Sequence, residues 1–416
     1  MGKTDKQYPN NKKKRCTKCE SLDLVEVSHR NRIYPLLYCH MEIAGNLDIG
    51  RLKKAVQESS KYVPEILYAY DFKHNQFVGR GFNAEDVILT GDSQFKVHPV
   101  WDLSKSPQLK ISVDCGENGN QVTFGMSHIL SDGAGFLQYI YLLTSLYNDG
   151  SRECLLKNKR DVSWILKGVH IRRQTEQTRY RKTKRLEPLW NDGVEEKYYL
   201  IKHIVSSKDF EKLHRKARQH HVTMNDIFMT AYARVIAKIQ CKNQVLLSCP
   251  ADLRKFGIGR NYDLTVANMT GIYRDVVINC EPDHDFTAIL LQVHIEMKLQ
   301  KSRFRCFKGI QMLDAIHGVI PYFIVEKMIR TTYQLPSVSY TNIGIIDSEK
   351  LYFQECEVKD CIITGSYRQV PDFQLAVSSF NGRCTLDCAL IGDAKMEMEA
   401  EGILKQVVKE LIDWVS

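Results

Sequence analysis

The hydrophobic pattern of this chain changes period at one short turn, and that change constrains the fold more than any other feature. Before the turn the apolar residues recur at every second position, as in a strand with one buried face: Val122, Phe124 and Met126. After the turn they recur at every third or fourth position, as on the buried side of a helix: Phe136, Ile140, Leu143 and Tyr147. The pattern therefore predicts a strand, a turn and a helix in succession.

The turn, residues 128–133, reads His-Ile-Leu-Ser-Asp-Gly. An imidazole at a strand end suits general base catalysis, because a histidine of ordinary basicity is largely neutral at physiological pH. Asp132 has an alternative role, since an acidic side chain there can cap the first helical turn. The same His-x-x-x-Asp spacing occurs at His98 and Asp102, but with a proline and a loop-like segment around it. We therefore interpret His98 as a surface or loop residue and His128 as the candidate catalytic residue.

Residues 128–133 are similar to the His-x-x-x-Asp-Gly signature of the chloramphenicol-acetyltransferase-like superfamily of acyltransferases, which includes condensation domains. Other segments resemble motifs of this superfamily in the same order: a Gly-x-Leu-Asp turn at 45–48, the segment 101–113 before the signature strand, Pro-x-Asp-x-Arg at 250–254, Asn-x-x-Gly at 268–271 and Ser-x-x-Asn-x-Gly at 339–344. The resemblance favours the branch of alcohol acetyltransferases, polyketide-associated acyltransferases and wax-ester synthases.

The resemblance implies an α/β fold with two similar lobes, each a large mixed β-sheet flanked by helices, and a substrate tunnel between them that opens at both ends. We expect a basic, flexible leader at 1–19, an N-terminal lobe at 20–165, a basic interlobe crossover at 166–194 and a C-terminal lobe at 195–416. A length of 416 residues agrees with two or three domains. In the second half, residues 222–239 read as a capped helix, and 375–389 as a hairpin around Asn381-Gly382.

The resemblance also assigns roles to single residues. It makes His128 the general base, and it implies a buried ion pair between Asp132 and Arg254 that supports the turn together with Gly133. The candidates for oxyanion stabilisation or substrate binding are polar and small residues of two later motifs: Ser339, Thr341, Asn342, Asn268 and Gly271.

These roles predict an acyltransferase that moves an acyl group from a thioester, either acyl-CoA or an acyl carrier protein, to a hydroxyl or amine of a small or lipid-like acceptor. O-acylation is favoured, with the coenzyme A thioester as co-substrate and without a permanently bound cofactor. One alternative is a condensation-type amide synthase, which Ser127 disfavours because those domains usually carry a histidine there. The other is a non-catalytic relative that binds an acyl ligand or a partner protein, against which the retained His128, Asp132 and Gly133 argue.

The composition of the chain limits the classes of protein to which it can belong. No run approaches the roughly 18 apolar residues of a spanning helix, so no integral membrane segment is expected. The 13 cysteines are odd in number and scattered, which disfavours a disulfide framework and favours the cytoplasm. Cys16 and Cys19 lack a second Cys-x-x-Cys pair, with only Cys39 and His40 nearby, so no metal is expected. The basic stretch 172–185 is typical of a solvated linker, or of a basic rim that attracts a negatively charged acyl donor such as coenzyme A or an acyl carrier protein. It has no interleaved aromatic residues, so it does not predict nucleic-acid binding.

Overall fold

A computed structural model describes residues 15–91, 93–116, 119–150, 157–169, 186–191, 197–257 and 264–416. Its strands are β1 (Cys16–Lys18), β2 (Leu36–Gly45), β3 (Tyr68–Asp71), β4 (Gln76–Gly79), β5 (Ile88–Thr90), β6 (Leu109–Gly116), β7 (Gly119–Ser127), β8 (Lys197–Val205), β9 (Gln244–Asp252), β10 (Thr270–Asn279), β11 (Val338–Ile345), β12 (Cys356–Thr364), β13 (Arg368–Gln369), β14 (Phe373–Phe380) and β15 (Arg383–Gly392).

The helices lie between and after these strands. They are α1 (Asp23–His29), α2 (Ile49–Ser59), α3 (Ser93–Val97), α4 (Gly133–Asp149), α5 (Ser163–Gly168), α6 (Ser207–Gln219), α7 (Met224–Ile239), α8 (Phe286–Ser302), α9 (Ile310–Ile316), α10 (Tyr322–Thr332) and α11 (Ala394–Val415).

The first large sheet has the strand order β12-β2-β7-β6-β5. β7 is antiparallel to β2 and β6, while β5 is parallel to β6, so the sheet is mixed. The alternating apolar side chains of β7 are buried, as is the apolar stripe of α4 that follows. The predicted succession of strand, turn and helix is confirmed.

β12 comes from the second half of the chain and nevertheless pairs antiparallel with β2 at the edge of the first sheet. Within this pair, Sγ of Cys39 lies 3.6 Å from Sγ of Cys361. The two halves are therefore joined by a strand ladder as well as by the covalent chain.

The second large sheet has the order β11-β14-β15-β13, and β8 also pairs with β15. β11 is parallel to β14, whereas β14 and β15 form an antiparallel hairpin. Asn381 and Gly382 connect the hairpin with φ angles of 47° and 70°, the left-handed conformation that a two-residue turn of this kind requires. The predicted hairpin is confirmed. A separate antiparallel pair, β9 and β10, completes this half.

Buried apolar side chains of the described residues form two clusters, which explains the two-sheet architecture. One packs around the first sheet with α2 and α4, and the other around the second sheet with α7, α8 and α11. α7 begins as predicted, because Thr223 and Asp226 form a reciprocal capping box. The mixed α/β class with sheets flanked by helices is confirmed.

Part of the predicted leader has a regular structure. Cys16–Lys18 forms β1 antiparallel to β4, and Cys19 is buried, so the chain departs from the predicted leader at these residues. The reason is the ladder with β4, which satisfies the backbone hydrogen-bonding groups of this segment. Residues 1–14 and the basic stretch 172–185 lie outside the described residues. Among the helices that the structure describes, none has both the length and the apolar content needed to cross a membrane.

Candidate active site

His128 directly follows β7, and its side chain lines a cavity. The cavity has a volume of about 990 Å³ and takes wall residues from both halves of the chain. The N–H of His128 donates to the carbonyl of Pro35 at 2.8 Å, and its own carbonyl accepts from Nδ2 of Asn268 at 2.9 Å. These two contacts hold the backbone of the turn, so the imidazole occupies a defined place in the wall. That the cavity opens at both ends remains a prediction.

The two ring nitrogens of His128 have different surroundings. Its side chain is 22% exposed, but Nδ1 is enclosed and has no hydrogen-bond partner among the described residues. Oε2 of Glu26, on α1, lies 3.9 Å from Nδ1, which is too long for a hydrogen bond but short enough for an electrostatic interaction. Because Nδ1 is enclosed, Nε2 is the ring nitrogen that a molecule in the cavity can reach.

Asp132 caps α4 and also forms the predicted ion pair. Its Oδ1 accepts from the N–H of Gly135 at 2.9 Å and lies 3.0 Å from Nη2 of Arg254. Its Oδ2 accepts from the N–H of Met269 at 2.7 Å, Oγ1 of Thr270 at 2.8 Å and Nη1 of Arg254 at 3.1 Å. Burial alone would raise the pKa of this carboxyl, but the charge of Arg254 and these donors outweigh burial and lower the pKa below its usual value. Asp132 is therefore held as an anion.

Arg254 is fully engaged by partners on both sides. Nη1 also donates to Oδ1 of Asp252 at 3.0 Å, Nε donates to Oγ1 of Thr265 at 2.8 Å, and Nη2 donates to the carbonyl of Ala267 at 2.8 Å. Burial would lower the pKa of the guanidinium, but the charges of Asp132 and Asp252 raise it above its usual value. The pair therefore ties the start of α4 to the segment between β9 and β10.

A second buried ion pair, which sequence reasoning missed, braces the same turn. Nη2 of Arg160 lies 2.6 Å from Oδ2 of Asp23, and Nη1 of Arg160 donates to the carbonyl of Leu130 at 2.7 Å. Asn268 donates to Oδ1 of Asp23 at 2.9 Å in addition to its contact with His128. Asn268 lines the cavity, yet its amide hydrogens are directed at these acceptors. In the structure it therefore holds the turn.

Besides Asn268, two more of the predicted oxyanion candidates lie at the cavity. Thr341 and Asn342, on β11, are both wall residues. Nδ2 of Asn342 donates to Oδ1 of Asn225 at 3.2 Å, and Oδ1 of Asn342 accepts from the N–H of Gly344 at 2.9 Å. These contacts orient the Asn342 amide, which has a second N–H available for a ligand.

The other two candidates are not among the wall residues. Oγ of Ser339 donates to the carbonyl of Phe373 at 3.2 Å, across to the neighbouring strand. Gly271 packs so closely that a Cβ atom there would lie 2.4 Å from the carbonyl oxygen of Cys306. The structure therefore does not bring Ser339 or Gly271 to the cavity, whereas Gly133 is a wall residue beside His128.

Several further polar wall residues were not singled out from the sequence, among them Glu26, Asn225 and Arg368. Asn225 lies in the first turn of the capped helix that the sequence predicted, so the start of that helix was the signal that could have identified it. Glu26 and Arg368 belong to no motif or periodic pattern, and only the fold brings them to the cavity.

Two negative observations concern other sequence features. His98 is exposed and is not a wall residue, which confirms its interpretation as a surface residue. Within the residues that the structure describes, no group of three or more His, Cys, Asp or Glu side chains is arranged to hold a metal ion.

Comparisons with known proteins gave matches at the level of structure. No protein-family model matches the sequence, and no curated protein matches it. The structure of polyketide synthase associated protein 5 from Mycobacterium tuberculosis superposes with a TM-score of 0.66 at 15% identity, covering 94% of this chain and 96% of that chain. The first condensation domain of the CDA synthetase superposes with a TM-score of 0.64 at 14% identity, covering 98% of both chains.

A third similar structure is the condensation domain of the monacolin K polyketide synthase. Its TM-score is 0.63 at 10% identity, and the match covers 96% of this chain and 97% of that chain. Identities this low establish a shared fold, and the high coverage shows that the shared fold extends over nearly the whole chain. The chain therefore has the fold that polyketide synthase associated protein 5 and these condensation domains share, which is the fold that its sequence motifs predicted.

Proposed function

We propose that this protein is an acyltransferase that moves an acyl group from a thioester, of coenzyme A or of an acyl carrier protein, to the hydroxyl or amine of a small or lipid-like acceptor. The observation that carries the proposal is the imidazole of His128, whose Nε2 is the reachable ring nitrogen in a cavity of about 990 Å³. A cavity of this size suits a ligand larger than a single small metabolite. The fold shared with condensation domains supports the same class of reaction.

In the proposed reaction, Nε2 of His128 accepts the proton of the acceptor hydroxyl or amine as that atom attacks the thioester carbonyl. The new bond to the acyl carbon forms a tetrahedral oxyanion. When the carbon–sulfur bond breaks, the thiolate takes the proton back from Nε2, so the histidine returns to its starting state. No covalent acyl-enzyme is needed.

Two neighbouring groups support these steps. Glu26 lies 3.9 Å from Nδ1, where its side chain can interact electrostatically with the ring of His128. The hydroxyl of Thr341 and the second N–H of Asn342 are the candidate donors to the oxyanion. Lys255 and Lys301 are also wall residues, and their charges suit the phosphates of a coenzyme A or carrier-protein donor.

Most of the proposed rate enhancement should come from the way the cavity holds the two substrates. General base catalysis contributes roughly 10²- to 10⁴-fold in rate, or about 3 to 5 kcal/mol. Holding two substrates in a reactive arrangement contributes about 7 to 11 kcal/mol. The cavity is therefore expected to retain some rate enhancement without the base.

The test is the release of free thiol from acetyl-, butyryl- and palmitoyl-CoA, measured with and without a panel of alcohols and amines. We expect acceptor-dependent release, together with an ester or amide of the expected mass. Faster turnover of alcohols than of matched amines would support O-acylation, and the reverse would support amide synthesis. If no donor releases thiol above the buffer rate, the proposal fails and the non-catalytic binding alternative is favoured.

A further inference from the structure

Arg368 is a cation in the cavity wall that forms no ion pair with any residue that the structure describes. It lies on β13, which runs parallel to β15, and it shares the cavity with His128. Its Nε is enclosed, and in the described part of the chain the side chain of Arg368 has neither a hydrogen bond nor an ion pair. Arg254, by contrast, has a partner for every guanidinium nitrogen. The residue as a whole is half-buried, and an enclosed polar atom without an acceptor is unfavourable, so Arg368 can gain an acceptor from a ligand in the cavity.

Two acidic residues act electrostatically on Arg368, and neither forms an ion pair with it. Both carboxylate oxygens of Asp372 accept from Arg32, from Nε at 2.8 Å and from Nη2 at 2.6 Å. The carboxylate of Glu26 lies at Nδ1 of His128. Burial lowers the pKa of the Arg368 guanidinium, and Asp372 and Glu26 counteract that effect only in part. The protein therefore leaves the positive charge of Arg368 largely uncompensated.

We propose that Arg368 binds the carboxylate of a substrate in the cavity, so that the acceptor, or the acyl group of the donor, is itself an acid. This inference rests on the proposed acyl transfer and narrows its substrate class. The planar guanidinium matches a carboxylate with two parallel hydrogen bonds, which an ammonium group cannot do. Arg368 and His128 line the same cavity, so a substrate can place its carboxylate at Arg368 and its reacting atom at Nε2 of His128.

Two arms distinguish the source of the carboxylate. In the acceptor arm, 3-hydroxybutyrate is compared with its methyl ester, with butyryl-CoA as donor. In the donor arm, succinyl-CoA is compared with butyryl-CoA, with one neutral alcohol as acceptor. We expect the wild type to have the lower KM for the acid in one arm, and Arg368→Gln to reduce that preference by roughly 10- to 100-fold, the usual range for hydrogen bonds to a charged group. Arg368→Lys should restore part of the preference.

A binding measurement makes the inference independent of turnover. In the arm that shows the preference, the acid, 3-hydroxybutyrate or succinyl-CoA, should raise the melting temperature of the wild type. The neutral compound of that arm, the methyl ester or butyryl-CoA, should raise it less, and Arg368→Gln should abolish the difference. Without ligand, Arg368→Gln is expected to melt at a higher temperature than the wild type, because it removes an uncompensated charge. Arg30→Gln is the matched control, since Arg30 is paired with Glu326 at 2.8 Å and is not a wall residue of this cavity.

The outcomes separate this inference from the proposed function. Thiol release with no preference for the acid in either arm would retain acyl transfer and overturn the role of Arg368. Stabilisation by an acid that depends on Arg368, in the absence of any thiol release, would retain the carboxylate site and reject acyl transfer. A lower melting temperature of ligand-free Arg368→Gln, with acid preference unchanged, would make Arg368 a structural residue and overturn the inference.

Discussion

Nη2 of Arg254 lies 3.0 Å from Oδ1 of Asp132, and this buried contact joins the N-terminus of α4 to the segment that follows β9. Removing one member of such a pair leaves the other charge buried and unpaired, which costs about 3 to 5 kcal/mol. We therefore expect Asp132→Asn to lower the free energy of unfolding by this amount, measured by urea denaturation, and to lose activity together with stability.

Asp252→Asn is the matched control, because Asp252 also contacts Arg254 at 3.0 Å but its side chain is 25% exposed. A partly exposed contact is worth about 1 kcal/mol or less, so this variant should unfold near the wild-type urea concentration. If Asp132→Asn unfolds like the wild type and only turnover falls, the carboxylate acts in the reaction and the structural role is wrong.

The sequence predicted the part of the site that is local along the chain. The hydrophobic period placed His128 at a strand end before α4, and the motif resemblance paired Asp132 with Arg254. In contrast, nothing in the pattern of residues 356–364 indicates that β12 pairs with β2, since any strand with a suitable apolar face can extend either sheet. Glu26 and Arg368 could not be predicted for a related reason: they reach the cavity only through the packing of distant segments.

The second prediction concerns the base itself. His128→Ala should reduce kcat/KM for thiol release by roughly 10²- to 10⁴-fold, because the acceptor must then lose its proton without a positioned base. The imidazole has no hydrogen bond within the part of the chain that the structure describes. The melting temperature should therefore stay within about 2 °C of the wild type. His98→Ala, at an exposed position away from the cavity, should leave both quantities unchanged. An equal loss of rate in both variants would exclude a specific role for His128.

The third prediction contrasts two glycines at the start of α4. A Cβ atom on Gly135 would lie 2.3 Å from Oγ of Ser131, 2.8 Å from Nη2 of Arg254 and 2.9 Å from the carbonyl of Ala267. Overpacking of this kind costs about 1 to 3 kcal/mol, and here it also displaces the arginine that holds Asp132. Gly135→Ala should therefore be clearly less stable than the wild type in urea denaturation.

Gly133→Ala is the companion variant, although Gly133 is the glycine of the signature. Its Cβ would meet only the terminal Cδ1 of Ile343, at 2.8 Å, and a side-chain end can move. We expect the free energy of unfolding to fall by less than about 1 kcal/mol. The clash is partly offset because alanine has less conformational freedom than glycine in the unfolded chain and favours the helix. Because Ile343 is a wall residue, the variant should show its effect mainly in KM. A larger loss of stability in Gly133→Ala than in Gly135→Ala would contradict the packing described for this turn.

The fourth prediction is a dependence of stability on pH that arises away from the cavity. Asp387, on β15, is fully buried, and burial raises its pKa to about 7, although Thr364 and Lys202 oppose the shift. In the unfolded chain an aspartate has a pKa of about 3.9. Between roughly pH 4 and pH 7 the native state therefore keeps a proton that the unfolded state has released, so the free energy of unfolding falls as pH rises through this window and levels off above it.

Asp387→Asn cannot titrate and resembles the protonated acid in shape, so it should remove this fall. At pH 8 the variant should be more stable than the wild type by up to about 4 kcal/mol, and near pH 4 the two should agree within about 1 kcal/mol. Urea denaturation at pH 4.5, 6 and 8 measures the difference, with the exposed Asp283→Asn as the control for a general charge effect. A variant that is less stable than the wild type at pH 8 would mean that the carboxylate of Asp387 is ionised and stabilising in the native state, opposite to the direction that its burial requires.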